Sequence, residues 1–214
     1  MNGTIVYIPE FNRVEDRETA LAFMRANPFA ILVSNTDDGP FATHLPVVVA
    51  ERDGNVSLRA HAAQANPHWK VFEQEQQVDS LVIFHGPHAY ISPALYELRE
   101  SVPTWNYATV HAYGCGKILS SDDDKQQVLA ELIAQFDASY LDQWKSLGDQ
   151  YHSRMLNHIV AFEIAVSRLE GKFKLSQNRT RTEQENVIQA LGTSADSAVS
   201  GVAQLMRQRG LGAK

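Results

Sequence analysis

The feature that most constrains the fold is a run of strand patterns joined by tight turns in the first third of the chain. Residues 29–35 (FAILVSN) predict a buried strand, and residues 41–50 (FATHLPVVVA) predict a second strand after the turn TDDGP. Asp53-Gly54 is typical of a tight hairpin and leads into a predicted strand over 55–61. Because these turns are too short for parallel crossovers, the three strands predict an antiparallel meander.

The rest of the chain combines further strands with helices. A long strand is predicted over 105–119, where Gly114 and Gly116 indicate a bulge or a close approach of another backbone. The other predicted elements are helices over 16–26, 67–76, 121–140, 151–157, 182–191 and 198–206, a strand pair over 78–86 and 88–93, and a strand over 158–171 with a hairpin continuation over 172–178. About six or seven strands with short turns fit a small β-barrel. The predicted fold class is mainly β with helical additions.

Two of the predicted helices begin with capping signals. Thr182 and Glu185 have the spacing of a capping box. Ser121 precedes three consecutive aspartates, which suit the positive end of a helix dipole. A metal site is the alternative interpretation of this acidic triplet, and we favour helix capping.

Length and composition predict one soluble domain. A chain of 214 residues, 44% of them hydrophobic, can bury a complete core, so we expect a single domain over 1–214. The C-terminal helices, at about 181–209, are expected to pack on the barrel or on a partner subunit. No apolar run approaches the ~20 residues that span a bilayer, and the N-terminal sequence does not resemble a signal peptide. Cys115 is the only cysteine, which fits a cytoplasmic location.

The net charge bears on nucleic-acid binding. The chain has 19 basic and 25 acidic residues, a net charge of -6, whereas a protein that neutralises many phosphates usually presents a basic face. One C-terminal cluster of basic residues is the exception: Lys172, Lys174, Arg179, Arg181, Arg207, Arg209 and Lys214. We favour the interpretation that these are ordinary solvated side chains, some of them suited to a helix C-terminus.

A candidate anion site follows the third predicted strand. The strand ends at His61, and Asn66-Pro67 then has the sequence of a helix start, with Asn as the cap and Pro in the first turn. Free N–H groups at a helix start bind anions, and Lys70 would add a positive charge. Trp69 beside this site suggests a ligand with a planar part. The alternative is an ordinary helix start with Trp69 in the core.

Motifs for catalysis are largely missing. The chain has no GxSxG, GxxxxGK[ST] or GxGxxG motif, and no histidine pair with HExxH spacing. Several histidines lie on or next to predicted strands, and a barrel could bring some of them together as a metal or haem site: His44, His61, His85, His88 and His111. Otherwise they line a pocket or the surface of the sheet.

Several longer motifs resemble one family. They are YIPEF (7–11), FATHLPVVV (41–49), AHAAQANPHWK (60–70), IFHGPHAYISPALY (83–96), VPTWNYATVHAYG (102–114) and KFKLSQNR (172–179). In this order they are similar to the PaiB-like family of FMN-binding negative transcriptional regulators. The resemblance implies an FMN-binding split barrel, related to pyridoxamine 5′-phosphate oxidase-like folds, and a homodimer with FMN at the subunit interface.

The resemblance also implies site residues for FMN. One strand would line the flavin ring with Ala42, Thr43, His44 and Leu45, and four residues would lie near the ribityl chain and phosphate: His61, Asn66, Trp69 and Lys70. The other subunit would contribute Trp105, Asn106, Lys174, Ser176 and Gln177. No catalytic residue and no metal ligand is implied. The oxidase branch usually has a Ser-Arg-Lys type of phosphate cluster, and here the matching positions are Asn66, His68 and Lys70.

Two classes of function follow. The resemblance implies a regulator that responds to flavin state or to a metabolite and represses transcription, directly on DNA or through a partner. The alternative is a flavin-dependent reductase or oxidase, in which His44, His111 or Tyr113 would orient or protonate a small substrate. A haem-binding split barrel and a flavin-binding module without turnover are further alternatives.

Overall fold

The computed structural model describes residues 6–73 and 79–213. The strands are β1 (Arg13–Val14), β2 (Phe29–Thr36), β3 (Gly39–Pro46), β4 (Val48–Arg52), β5 (Asn55–Ala63), β6 (Asp79–Ile91), β7 (Thr104–Leu119) and β8 (Ile159–Lys174). The α-helices are α1 (Arg17–Ala26), α2 (Asp122–Phe136), α3 (Leu141–Ser146), α4 (Asp149–Leu156), α5 (Arg181–Gly192) and α6 (Ser197–Gln208). Short 3-10 helices cover Glu10–Asn12, Pro67–Glu73, Pro93–Leu95 and Ala138–Tyr140. None of the described helices is long and apolar enough to cross a membrane.

The strands form one mostly antiparallel sheet. Seven of them are hydrogen-bonded in the order β3-β2-β6-β7-β8-β5-β4, and β1 pairs with β8. The pairs β2–β3, β2–β6, β4–β5, β5–β8 and β1–β8 are all antiparallel. A mostly antiparallel sheet with added helices is the predicted fold class.

The chain divides into two compact units. The first, here called the hairpin unit, comprises Leu21–Phe84 and His111–Leu169. The second, here called the terminal unit, comprises Met1–Ala20, His85–Val110 and Glu170–Lys214. The single domain over 1–214 stays a prediction.

The predicted meander is wrong, because the stretch 41–50 is not one strand. β3 ends at Pro46 and β4 begins at Val48, and the backbone N–H of Val47 donates to the carbonyl of Pro28. Proline has no N–H to donate to a strand ladder, which explains why pairing stops at this point. β3 and β4 consequently lie at opposite ends of the strand order, each in its own hairpin, although one residue separates them in the chain.

Two other predicted breaks are also absent. The expected strand pair over 78–93 is the single strand β6, which continues through Gly86 and Pro87. The expected hairpin at 171–172 is part of the single strand β8, in which Gly171 pairs with Val14 of β1. A Cβ at Gly171 would lie 2.7 Å from the Val14 side chain, so this glycine admits a close neighbour and does not mark a turn.

The helix starts follow the capping chemistry in most cases. Ser121 caps α2 by accepting a hydrogen bond from Asp124 N, as predicted. The capping box of α5 is formed by Thr180 and Glu183, so the predicted box of Thr182 and Glu185 is displaced by two residues. Thr180 is the N-cap because its backbone is extended and its side chain accepts a hydrogen bond from Glu183 N, whereas Thr182 is already inside the helix.

The segment predicted as a helix over 67–76 is a 3-10 helix over Pro67–Glu73, and residues 74–76 lie outside the described part. Its inner side is packed in the hairpin unit: the Phe72 ring lies 4.9 Å from the Phe162 ring, centroid to centroid. On β7, a Cβ at Gly116 would lie 2.3 Å from the Phe72 ring, and one at Gly114 would lie 2.0 Å from the Ala165 carbonyl oxygen. The close approach predicted at these two glycines is therefore present.

Candidate functional site

β3 is the end strand of the sheet, and its four predicted site residues alternate between its two faces. Directly opposite residues share a face: His44 lies opposite Ile31, and Thr43 lies opposite Leu32. Ala42 and His44 are exposed, whereas Leu45 is buried on the same face as Thr43. Because their side chains lie on both faces of the strand, the four residues can contact one flat ligand together only through their backbone groups, along the outer edge of β3.

Thr43 joins β3 to the start of the 67–73 helix. Its hydroxyl accepts a hydrogen bond from Asn66 Nδ2 at 3.2 Å and lies 2.8 Å from His68 Nδ1. Asn66 Oδ1 in turn accepts from the backbone N–H of His68 at 3.0 Å. The predicted residues Thr43 and Asn66 are thus brought into direct contact.

The helix start differs from the predicted anion site. It is a 3-10 turn, Pro67 has no N–H, and the N–H of His68 is already bonded to the Asn66 side chain. Lys70 is exposed, and its ammonium lies 6.0 Å from the centroid of the Trp69 ring. Trp69 is half-buried, and its indole N–H donates to the carbonyl of Gln64 at 3.1 Å. In this segment, the ammonium of Lys70 and the amide of Asn66 are the groups with the chemistry to bind an anion, and anion binding here stays a prediction.

His61 lies near the end of β5 and carries an unsatisfied polar atom. Its Nδ1 is buried and has no hydrogen-bond partner among the described residues. Burial lowers the pKa of His61, because the charged imidazolium loses hydration. A neutral imidazole with one unused nitrogen is a ready partner for a ligand hydroxyl or phosphate oxygen.

The other five predicted residues belong to the terminal unit, where two of them form a buried pair. Asn106 Nδ2 donates to Ser176 Oγ at 2.9 Å, and Met206 of α6 lies against the same amide. Ser176 has a φ of 63°, in the left-handed region that non-glycine residues rarely occupy. A buried pair with a backbone held in this conformation fixes the segment that follows β8.

The side chains of Lys174 and Gln177 form hydrogen bonds within the terminal unit. Lys174 Nζ donates to the Thr104 hydroxyl and, at 2.7 Å, to the Trp105 carbonyl. Burial, followed by the nearby charges of Lys172 and Arg179, lowers the pKa of Lys174. Gln177 Oε1 accepts from Leu175 N at 2.6 Å. These side chains hold the backbone in place, including that of Trp105.

Trp105 presents its ring to the surface, where other aromatic side chains surround it. It is 53% exposed. The rings of Tyr90 and His88 lie 6.0 and 6.2 Å from it, and His85 lies 4.9 Å from His88, measured between centroids. Burial and the neighbouring His88 lower the pKa of His85. In the described part of the chain, no group of three His, Cys, Asp or Glu side chains has metal-binding geometry.

The basic cluster considered for DNA is largely engaged with other groups. Arg181 pairs with Glu185 at 2.9 Å, and Arg179 lies with its guanidinium 3.8 Å from the Tyr96 ring centroid. Lys172 Nζ donates to the carbonyl of Tyr7 at 2.8 Å. These contacts engage part of the cluster within the protein, and the interpretation favoured from the sequence, ordinary solvated side chains, stays a prediction.

The residues suggested for proton transfer are not equivalent. His44 is exposed on the end strand β3. Tyr113 is buried, with the Arg168 guanidinium 4.0 Å from its ring centroid. His111 lies beside it, with the two ring centroids 6.4 Å apart. Of the three, His44 is the residue whose side chain is most accessible to a small molecule.

Sequence reasoning missed a buried hydrogen-bond chain behind Thr43. His68, which is 2% exposed, has its Nε2 3.0 Å from Ser34 Oγ, and Ser34 Oγ lies 2.6 Å from Ser80 Oγ. Burial lowers the pKa of His68. The available signal was a serine directly beside the apolar run of each of two strands, FAILV in β2 and LVIF in β6, since buried hydroxyls require hydrogen-bond partners.

The comparisons with known proteins define the class. Residues 6–168 match the family described as "Putative FMN-binding domain". The chain is 35% identical over 207 residues to "Protease synthase and sporulation protein PAI 2" of Bacillus subtilis (strain 168), covering 95% of this chain and 98% of that protein. Two solved structures are similar in fold: the flavocytochrome Anf3 from Azotobacter vinelandii (TM-score 0.60, 18% identity, 81% of this chain and 74% of that chain) and an FAD and heme binding protein from Mycobacterium smegmatis (0.58, 16%, 76% and 73%).

The fold and the family are therefore those of the FMN-binding split barrels. More narrowly, the chain belongs to the PaiB-like family. The predicted family, fold class and cofactor, FMN, are confirmed. The thirteen FMN contact residues stay a prediction: eight lie in the hairpin unit and five in the terminal unit.

Proposed function

We propose that the protein is an FMN-binding negative transcriptional regulator that acts as a cytoplasmic homodimer, with the flavin held at the subunit interface. The observation that carries the proposal is the junction of the end strand β3 with the 67–73 helix. There the hydrogen bond from Asn66 to Thr43 joins the strand edge to the segment that carries the Asn66 amide and, four residues further on, the exposed Lys70.

The chemistry of these residues suits FMN. The edge of β3 offers backbone donors and acceptors to the polar rim of a flavin ring, and the small side chain of Ala42 leaves room beside it. The unused Nδ1 of His61 and the Asn66 amide suit ribityl hydroxyls. Lys70 suits the phosphate. When bound, FMN supplies reversible one- and two-electron chemistry.

The homodimer is supported by one face of the hairpin unit. Cross-strand pairing places Ile31 beside Ile83 and Val33 beside Leu81, and all four side chains are only half-buried. Phe29, on the same face of β2, is 65% exposed. An apolar sheet face of this kind suits association with a second copy, because burying it removes hydrophobic surface from water.

FMN binding is tested by purifying the protein, recording its visible absorbance and titrating the apoprotein with FMN. Lys70→Ala should weaken binding by about 1–3 kcal/mol, roughly 5- to 150-fold, through loss of a charge-assisted phosphate contact. Lys145→Ala, which removes an exposed lysine from α3, is the matched control and should bind as the wild type does. Equal binding by both variants would remove Lys70 from the site. A strong haem absorbance without flavin would refute the cofactor assignment.

The dimer is tested by the molar mass in solution. Phe29→Glu places a charge on the apolar face and should shift the protein towards monomer at low micromolar concentration, with FMN affinity falling as well. Phe136→Glu changes an exposed phenylalanine at the end of α2 and should leave the dimer intact. A monomeric wild type, or a dimer unaffected by Phe29→Glu, would contradict this assignment.

The regulator role rests on membership of the PaiB-like family, and the charge distribution favours action through a partner or through flavin state over direct contact with DNA. Arg179 and Arg181 are already paired within the terminal unit. Anisotropy titrations of the flavin-loaded protein against its own promoter DNA, at two salt concentrations, test this. Tight binding that weakens steeply with salt would show direct DNA contact and overturn the preference for a partner.

A second candidate, a flavin-dependent reductase, is favoured by the exposed imidazole of His44 on β3. His44 would orient a small acceptor or donate a proton to it, as neutral-range histidines do. Anaerobic mixing of the flavin-loaded protein with NADH or NADPH tests this function. If neither bleaches the flavin, the reductase fails; if either does, His44→Ala should slow reoxidation by an acceptor and leave FMN binding unchanged.

A further inference from the structure

The buried hydrogen-bond chain behind Thr43 has one fully buried end and one accessible end. It links Ser80 of β6, Ser34 of β2, His68, Thr43 of β3 and Asn66. Ser80 and Ser34 are 0% and 2% exposed, whereas Thr43 is only half-buried and lies on the end strand of the sheet. A hydroxyl proton without an acceptor in this chain of hydrogen bonds can therefore reach water or a ligand at Thr43, but not at Ser80.

The buried end sets the direction of the hydrogen bonds. Among the described residues, the Ser80 hydroxyl has one partner, Ser34 Oγ at 2.6 Å, so its proton goes to Ser34. Ser34 then donates its own proton to His68 Nε2 at 3.0 Å. Because Nε2 accepts, the hydrogen of the neutral imidazole is on Nδ1, and Nδ1–H donates to Thr43 Oγ1 at 2.8 Å.

The reverse direction is less favourable. There His68 Nε2–H would donate to Ser34, Ser34 would donate to Ser80, and the Ser80 proton would have no acceptor in the part of the chain that the structure describes. A buried hydroxyl proton without an acceptor is unfavourable, whereas the proton of half-buried Thr43 can find a partner outside. Burial also lowers the pKa of His68, so the ring is neutral at pH 7 and carries hydrogen on one nitrogen.

The consequence is that both acceptor positions of Thr43 Oγ1 are filled. His68 Nδ1–H fills one, and Asn66 Nδ2–H fills the other at 3.2 Å. The Asn66 amide is held in this orientation from its other end, since Oδ1 accepts from the backbone N–H of His68. A hydroxyl has two lone pairs and one proton, so Thr43 can offer a further partner only its proton.

We propose that Thr43 is the side-chain hydrogen-bond donor of the flavin site and that its hydroxyl proton binds an acceptor of the flavin ring, either a ring nitrogen or a carbonyl oxygen. This inference rests on the proposed FMN site, in which the edge of β3 contacts the ring. The backbone along that edge offers donors and acceptors alike. The Thr43 side chain adds selectivity, because it stabilises a ligand that presents a lone pair at this position and not one that presents an N–H.

The first experiment determines the tautomer of His68 without FMN. Long-range ¹H–¹⁵N spectra of the apoprotein, labelled in histidine, should show the Nδ1–H tautomer for the resonances that vanish in His68→Gln. The Nε2–H tautomer, or a ring that averages between the two, would overturn the proposal, because Thr43 could then turn its proton inwards to Nδ1. Because no flavin is present, this result is independent of whether FMN binds.

The second experiment measures FMN affinity in variants of Thr43. Thr43→Val removes the hydroxyl, keeps the shape of the side chain and should weaken FMN binding about 3- to 10-fold. Thr43→Ser keeps the hydroxyl and should bind FMN much as the wild type does. Thr36→Val removes a hydroxyl that donates to the Gly39 carbonyl in the same hairpin, and it is the matched control. Thermal unfolding is used to confirm that all three variants fold.

The third experiment measures the hydrogen bond to the ring directly, because Thr43→Val also removes the acceptor of His68 and Asn66. FMN enriched in ¹⁵N and ¹³C in its ring is bound to saturation and observed by NMR. The largest change of chemical shift between wild type and Thr43→Val should fall on one acceptor atom of the ring, and Thr36→Val should leave that resonance in place. A spectrum of bound FMN that is the same in Thr43→Val and in wild type would overturn the donor role.

The outcomes separate this inference from the proposed function. If wild type binds FMN and Thr43→Val binds equally well, or if Thr43→Ser binds as weakly as Thr43→Val, the donor role is wrong and the proposed function stands. If wild type does not bind FMN, the proposed function and the ligand named for Thr43 are refuted, whatever the tautomer. The Nδ1–H tautomer, weaker binding in Thr43→Val than in Thr43→Ser, and a shift at one ring acceptor together support the donor role.

Discussion

Gly116→Ala should disturb the 67–73 helix through a single steric conflict. The new Cβ would lie 2.3 and 2.4 Å from two ring carbons of Phe72, about 1 Å closer than an ordinary contact. The ring cannot retreat freely, because it packs against Phe162 and stacks on His68. Overpacking of this size typically costs about 1–3 kcal/mol. Alanine loses less backbone conformational entropy on folding than glycine does, and this offsets the cost by roughly 0.5–1 kcal/mol.

The measurement is urea unfolding followed by circular dichroism, together with FMN titration. We expect a net loss of about 1–2 kcal/mol in the free energy of unfolding, and weaker FMN binding because Phe72 and Asn66 belong to the same segment. Phe72→Leu alone should cost about 1–2 kcal/mol by leaving a cavity. In the double variant the smaller side chain makes room for the new methyl group, so the two losses should not add.

The double variant, Gly116→Ala with Phe72→Leu, tests whether the steric conflict is with the Phe72 ring. If the conflict is with Phe72, the combined loss should be smaller than the sum of the single losses by at least about 0.5 kcal/mol. Strict additivity of Gly116→Ala and Phe72→Leu would refute the reasoning, since it would place the cost of the new methyl group elsewhere.

Three further predictions follow from the hairpin unit. Gly114→Ala should lower the free energy of unfolding by about 3 kcal/mol or more, which is a larger loss than in Gly116→Ala, because the new Cβ would meet the backbone oxygen of Ala165, which cannot rotate away. Gly148→Ala, which has open space around the new Cβ, is the control in the same urea assay. His61→Leu should leave the free energy of unfolding unchanged or raise it, since it removes an unsatisfied polar atom, while lowering FMN affinity in titration; a large loss of stability would contradict this. Burial lowers the pKa values of His61 and His68, so the unfolded chain takes up more protons than the folded protein as the pH is lowered through about 6.5. The urea concentration at the unfolding midpoint should therefore decrease as the pH is lowered from about 7.5 to 5.5, and these two groups should have no effect above this range. In His61→Leu the decrease should be less steep.

Local sequence patterns correctly predicted elements that depend on a few neighbouring residues, such as a tight turn or a helix cap. Asp53-Gly54 forms the predicted hairpin between β4 and β5, with Asp53 at a φ of 50°, and Ser121 caps α2. The same reasoning failed at Gly86-Pro87 and Gly171, which lie inside continuous strands. A glycine or proline predicts a turn only in the absence of tertiary neighbours, and strand pairing overrides that preference.

The site shows a similar division. Motif resemblance selected Thr43 and Asn66, which are in contact, and it selected His61, whose buried Nδ1 has no hydrogen-bond partner among the described residues. It did not reveal that neighbouring residues of β3 face opposite ways, nor that His68 connects to Ser34. These facts depend on strand register and on partners distant in the sequence, which a single sequence does not specify.

The one-residue link at Val47 imposes a length constraint on the chain. Pro46 belongs to one end strand of the sheet and Val48 to the other, so the connection contains no slack. An inserted residue could be absorbed in the turns at 37–38 or 53–54, but at 46–48 it would slide one strand against its partner. A slip of one position in β3 would turn Thr43 outwards and His44 inwards. In alignments of relatives we therefore expect gaps at the two turns and none at this link.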